Sequence, residues 1–166
     1  MTYKVIPKGL PGYEDYHAIQ ITYNMSSGIQ DARHPYPGSP YYAIGFPKSA
    51  FLPDTELGRI VLKLLEKAFN QHLTFNLVVQ KGSRDAMVQW NPAIGKKIIW
   101  RHFSSPDFEL LFFLGHKTEF GPSTNENDKN AYPDPAFLED VARQLSRLGI
   151  TTEKNVEADD EETTSV

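Results

Sequence analysis

The chain has 166 residues, no cysteine and a formal net charge of −4. That is enough length for one real core and little for a second, with no means of building a disulfide framework or a cysteine-ligated zinc site. Six acidic residues (Glu153, Glu157, Asp159, Asp160, Glu161, Glu162) against Lys154 give residues 151–166 a balance of minus five, leaving the body at plus one, which argues against a nucleic-acid surface built on phosphate contacts.

The longest apolar run, Leu110 to Leu114, is too short to span a bilayer, and Met1 to Gly12 has no apolar signal region. No membrane partner is therefore expected, and the location is expected to be cytoplasmic and/or nuclear. In chain order, His17 to Tyr23 reads as a strand. Gln30 to Pro53 is proline-rich yet carries Tyr36, Tyr41, Tyr42, Phe46 and Phe51, a mixture that predicts an ordered irregular loop rather than a linker. Over residues 55–71, Leu57, Ile60, Val61, Leu64, Leu65 and Ala68 recur at steps of three and four, predicting an amphipathic helix capped by Asp54 or Thr55, with Lys63, Glu66 and Lys67 facing water.

Leu73 to Gln80 then reads as a strand, Lys81 to Asp85 as a turn and Ala86 to Trp90 as the hairpin partner. A second helix is expected over residues 135–148, with Asp134 as its cap, Pro135 in its first position, Phe137, Leu138, Val141, Leu145 and Leu148 as its buried stripe, and Gly149 as its stop. The elements do not alternate regularly, so the fold class is α+β, mainly antiparallel sheet packed with these two helices, in a single domain over residues 1–150. Residues 151–166 read as a disordered acidic tail whose alternative role is an interaction segment. His17, His34, His72 and His102 have no metal-ligand spacing, so no metal site is proposed.

One motif is cut in two. Trp90 to Gly95 reads WNPAIG and Gly115 to Glu119 reads GHKTE; closed up they give WNPAIGHKTE. Around it, in order, stand LPGY (Leu10 to Tyr13), HPYPG (His34 to Gly38), GFPKSAFLPDTELGRIVLKLL (Gly45 to Leu65), YPDPAFL (Tyr132 to Leu138) and LGI (Leu148 to Ile150). Together these pieces resemble the Deltex C-terminal domain, the module that follows the RING finger in Deltex-type E3 ubiquitin ligases and carries a WNxIHHKT signature. The resemblance implies binding of ADP-ribose or NAD, or of an ADP-ribosylated protein, a part in protein ubiquitination and Notch signalling, and no required cofactor. With no cysteine for zinc this sequence holds no RING, so the RING domain or ubiquitin-conjugating machinery would act in trans, or the RING would lie on a missing N-terminal portion.

The interrupting segment, residues 96–115, has two open readings. One is an evolved insertion with Ile98 to Phe103 and Phe108 to Leu114 as hairpin strands. The other is a retained intron translated in frame: Gly95-Lys96-Lys97 can be encoded GGT AAG AAA, holding a GTAAG donor, and Leu114-Gly115 can be TTA GGN, holding the acceptor AG. Its removal keeps the frame and regenerates one glycine codon. Transcripts are expected to include reads joining Gly95 directly to His116, and reads that only run contiguously through the segment would overturn the intron reading. Retained, its Trp100, Phe112 and Phe113 would form an apolar aggregation liability.

Carried over residue by residue, the resemblance places the family's pocket serine near Gln80 or Lys81, with Ser83 close enough to replace it. The first signature histidine becomes glycine, whichever of Gly95 and Gly115 is aligned, and His116 is the second. The histidine or tyrosine before YPDP becomes Asn130, and the catalytic glutamate aligns with Gln144, which hydrogen-bonds but cannot accept a proton. The candidate ligand-binding residues are Ser83, Trp90, Asn91, His116, Lys117, Asn130 and Tyr132; Glu119 or Glu139 would be substitutes for the lost carboxylate. Each has a plainer role open to it: Trp90 a strand end, Tyr132 and Asp134 a turn and helix cap, His116 a backbone hydrogen bond, Lys117 a solvated side chain.

Overall fold

A fully buried tyrosine, Tyr23, organises the interior. In the computed structural model, which describes residues 1–91, 117 and 132–152, it ends strand β2 (Ala18–Tyr23). Its ring meets Phe69, Phe75 and Trp90 at centroid distances of 5.4–5.6 Å. On its flanks β2 pairs antiparallel with β1 (Thr2–Ile6) and with β5 (Lys48–Pro53), making one sheet of order β1-β2-β5. A second sheet, of order β3-β4-β7-β6, comprises β3 (Gly28–Ile29), β4 (Pro40–Tyr42), β6 (Phe75–Val79) and β7 (Ala86–Trp90). Its β4–β7 pair is parallel and the others are antiparallel, so the architecture is α+β with mainly antiparallel sheet.

The β6–β7 hairpin closes over the expected turn: Gln80 N–H donates to Asp85 O and Gly82 takes a φ of 79°, the left-handed region that favours glycine. Two strands fall where the sequence reading expected irregular chain. β5 lies inside the proline-rich stretch, and Ala50, Phe51, Leu52 and Pro53 are buried in succession. A strand covered on both faces loses the alternation by which strands are recognised. β4 is only three residues long and holds its place through Gln30, which is 2% exposed; its Nε2 donates to Pro40 O and Arg84 O while its Oε1 accepts from Tyr36 N–H. One buried amide thus ties the proline-rich loop to the hairpin turn, satisfying polar groups that would otherwise be stranded.

Helix α1 (Glu56–Asn70) starts where expected, and Thr55 is the cap: its Oγ1 accepts from Gly58 N–H at 3.0 Å. Asp54 instead pairs with Arg59. Val61, Leu62, Leu64, Leu65 and Ala68 face the core. Helix α2 (Phe137–Arg147) begins two residues later than expected, because Asp134 and Pro135 are not its cap and first turn; Ala136 occupies the cap position with no side-chain bond. Its end follows the expectation: Gly149 at φ 76° lets its own N–H reach Ser146 O while the N–H of fully buried Ile150 reaches Leu145 O.

The interrupting segment 96–115 with its expected hairpin strands, the residues Trp100, Phe112 and Phe113, and the tail beyond Thr152 lie outside the described residues. Among the described residues no helix is long and apolar enough to cross a membrane.

Candidate functional site

Four distant pieces of the sequence converge on Tyr132. Its ring is fully buried, edge-on to Tyr13 at 5.8 Å and to Phe137 at 6.0 Å, and its hydroxyl donates to Phe51 O at 3.2 Å. Burial, with the nearby Tyr13 and the negative charge of Asp134 adding to it, pushes the Tyr132 phenol far above its ordinary value, so it remains a protonated donor. The LPGY turn reaches this point because Gly12 takes φ 80°, and a Cβ there would sit 3.0 Å from Pro133.

Lys117 completes the cluster, and its environment corrects the expectation of a solvated lysine. Its side chain is 2% exposed, and its ammonium lies 2.8 Å from Asp134 Oδ2, 5.8 Å from the Tyr132 ring centroid and 5.1 Å from that of Phe137. Its backbone carbonyl accepts the Phe51 N–H at 2.8 Å. A charge this buried persists only where a counter-charge and aromatic faces replace its water. Asp134 is therefore the counterion of Lys117 rather than a helix cap. Sequence spacing carried no sign of this pair because the partners lie on segments that only the fold brings together.

A second group forms where β7 ends. Trp90 stacks on Phe75 at 4.5 Å with 25° between planes, and Phe75 meets Phe46 at 5.1 Å. The Lys48 ammonium stands 5.3 Å from the Phe46 centroid and 6.0 Å from that of Trp90. All four side chains are half-buried. Trp90 thus packs against the core at the end of β7, stacked on Phe75 and edge-on to Tyr23. Lys48, Phe46 and Phe75 were not among the candidate site residues read from the sequence; the run FPK at 46–48 was the signal available.

Asn91 is engaged within the fold. Its Nδ2 donates to Leu73 O and its Oδ1 accepts from Asn76 Nδ2, which locks the open end of the β6–β7 hairpin. Ser83 sits exposed in the hairpin turn, its Oγ accepting from Asp85 N–H at 2.9 Å. His116, Asn130, Gly95, Gly115 and Glu119 lie outside the described residues. Gln144, on α2, keeps its Oε1 buried with no hydrogen-bond partner among the described residues, while Glu139 is exposed on the same helix. The described candidates therefore fall into two groups, Lys117 and Tyr132 in one and Trp90 and Asn91 in the other, with Ser83 apart in its turn.

The pattern of the Deltex C-terminal domain matches residues 1–111, two thirds of the chain. The chain belongs to that family. It is 33% identical over 156 residues to the E3 ubiquitin-protein ligase DTX1 of Xenopus laevis, covering 94% of this chain and 21% of that protein. It is 34% identical over 151 residues to the E3 ubiquitin-protein ligase DTX4 of Mus musculus, covering 91% and 21%. Against the probable E3 ubiquitin-protein ligase DTX3 of Homo sapiens, identity is 34% over 143 residues, covering 86% of the chain and 34% of that protein. The chain thus spans about a fifth to a third of the length of these relatives. Lys117 and Tyr132 lie beyond the residues that the family pattern matches, and both are buried in the core here.

Proposed function

We propose that this chain is a Deltex C-terminal-type module of the ubiquitin system that binds ADP-ribose or NAD, or an ADP-ribosylated protein, and supports ubiquitination with a RING domain supplied elsewhere. The observation that carries the reading is family membership; the buried Lys117–Asp134 pair beside Tyr132 supports it by holding residues 117 and 132–134 together in the fold. A binding role is favoured over a catalytic one because Gln144 stands at the glutamate position, and an amide cannot take up a proton at neutral pH. A half-buried wall of Trp90, Phe46 and Phe75 with Lys48 at its side offers apolar area and one cation, a composition suited to a base and its phosphates. A cytoplasmic and/or nuclear site of action goes with this reading.

A second reading has its own observation. Lys117 and Tyr132 are 2% and 0% exposed, so two of the candidate ligand groups are committed to the core, as expected of a domain kept for a structural or protein-interaction role. Isothermal titration distinguishes the two. Saturable heat is expected with ADP-ribose and with NAD, weakened in Lys48→Glu; folded protein that gives no heat with either ligand would leave only the second reading.

A further inference from the structure

The three-stranded sheet has two edges, and they differ. On the β5 side the Phe51 N–H is taken by the carbonyl of Lys117 and the Phe51 carbonyl by the Tyr132 hydroxyl. On the β1 side, no strand lies beyond Thr2–Ile6 among the described residues. Alternate residues of an antiparallel edge strand turn their N–H and C=O groups away from the only neighbour, so among the described residues β1 offers outward backbone donors and acceptors with no strand partner, the Ile6 carbonyl apart, which accepts the Lys8 N–H. We propose that this edge takes an extended, acidic segment of a partner protein by strand addition, independently of any ADP-ribose site.

The chemistry of the partner follows from the side chains. Tyr3 and Val5 pair with Ile21 and Ile19, and cross-strand partners share a face. Ile21 and Ile19 are buried, whereas Tyr3 is 55% and Val5 48% exposed, so the apolar surface of β2 runs out to the edge and stops there uncovered. An incoming strand would cover it if it placed apolar residues at every second position. On the opposite face the central residue is Lys4, which is exposed. A second copy pairing antiparallel about that centre would set Lys4 against Lys4, and like charges directly opposite destabilise the pair. A strand bearing glutamate or aspartate opposite Lys4 gains where the copy loses. Lys4 thus guards the edge against self-association and selects an acidic occupant.

The probe is the peptide acetyl-TVEVEVT-amide, titrated into the full chain labelled with nitrogen-15. Expected are amide shifts confined to Thr2–Ile6 and its partner β2. Methylating alternate peptide nitrogens should abolish binding for one set of positions and spare the other, which a purely side-chain contact would not do. Lys4→Glu, an exposed substitution whose fold is checked by unchanged amide dispersion, should weaken this peptide about tenfold and favour acetyl-TVKVKVT-amide instead. Shifts that map elsewhere, no shifts at millimolar peptide, or indifference to nitrogen methylation would each overturn the proposal. So would β1 shifts that depend on protein concentration without peptide, since the occupant would then be a second copy.

Discussion

Asp134→Ala is expected to destabilise the chain by about 3 kcal/mol, more than Lys117→Met, which should cost about 1–2 kcal/mol. The asymmetry comes from solvation. Asp134 is 37% exposed on its side chain, so a carboxylate left behind by Lys117→Met can be hydrated, and methionine fills most of the lysine's volume among Tyr132 and Phe137. Asp134→Ala instead takes the counter-charge from an ammonium that is 2% exposed, and water cannot follow it inward. The double variant should lose clearly less than the sum of the two, because the second substitution removes the charge that the first one stranded. Urea unfolding of the four proteins reads all three differences. An Asp134→Ala loss no larger than that of Lys117→Met would show that the pair does not behave as a buried one.

Gly58→Ala should be destabilising although it replaces glycine by alanine inside a helix. Propensity alone favours the change by about 1 kcal/mol. The opposing term is steric: the chain leaves β5 at Pro53 and turns into α1 within two residues, so the Pro53 carbonyl oxygen lies against the first turn and a Cβ on Gly58 would be driven into it. That oxygen is backbone at the end of a buried strand and cannot rotate away as a side chain would. Relieving the clash means shifting α1 on the sheet, at about 3 kcal/mol or more, for a net loss of about 2 kcal/mol. The same shift would disturb the Gly58 N–H bond to Thr55 Oγ1. Thermal or urea unfolding that finds Gly58→Ala as stable as the parent would mean the strand-to-helix corner is softer than its geometry indicates.

The two glycines that can be compared show what a sequence reveals of such positions. Gly149 was legible as a helix stop because its role is local: it follows the last apolar position of a periodic run and needs only its own left-handed φ. Gly58 was not, because its requirement comes from a carbonyl on a different element, and no periodicity records that approach. The same division runs through the strands. The β6–β7 hairpin and β2 alternate or are bounded by turn residues, whereas β5 is buried on both faces and reads as an apolar run in a proline-rich stretch.

By itself the sequence determined the family, the fold class, both helices to within a couple of residues at their ends, and the hairpin. All of these rest on residue identity, on short-range periodicity or on the order of motifs along the chain. The tertiary structure alone decided that Lys117 is buried rather than solvated and that Asp134 is its counterion rather than a helix cap. It also decided that Tyr132 spends its hydroxyl on Phe51, and that Lys117 and Tyr132 cap the β5 edge while no strand lies beyond β1 among the described residues. These are pairings between segments far apart in sequence. Whether a charge or a hydroxyl meets water or a partner depends on which surfaces meet, and packing, not composition, sets that.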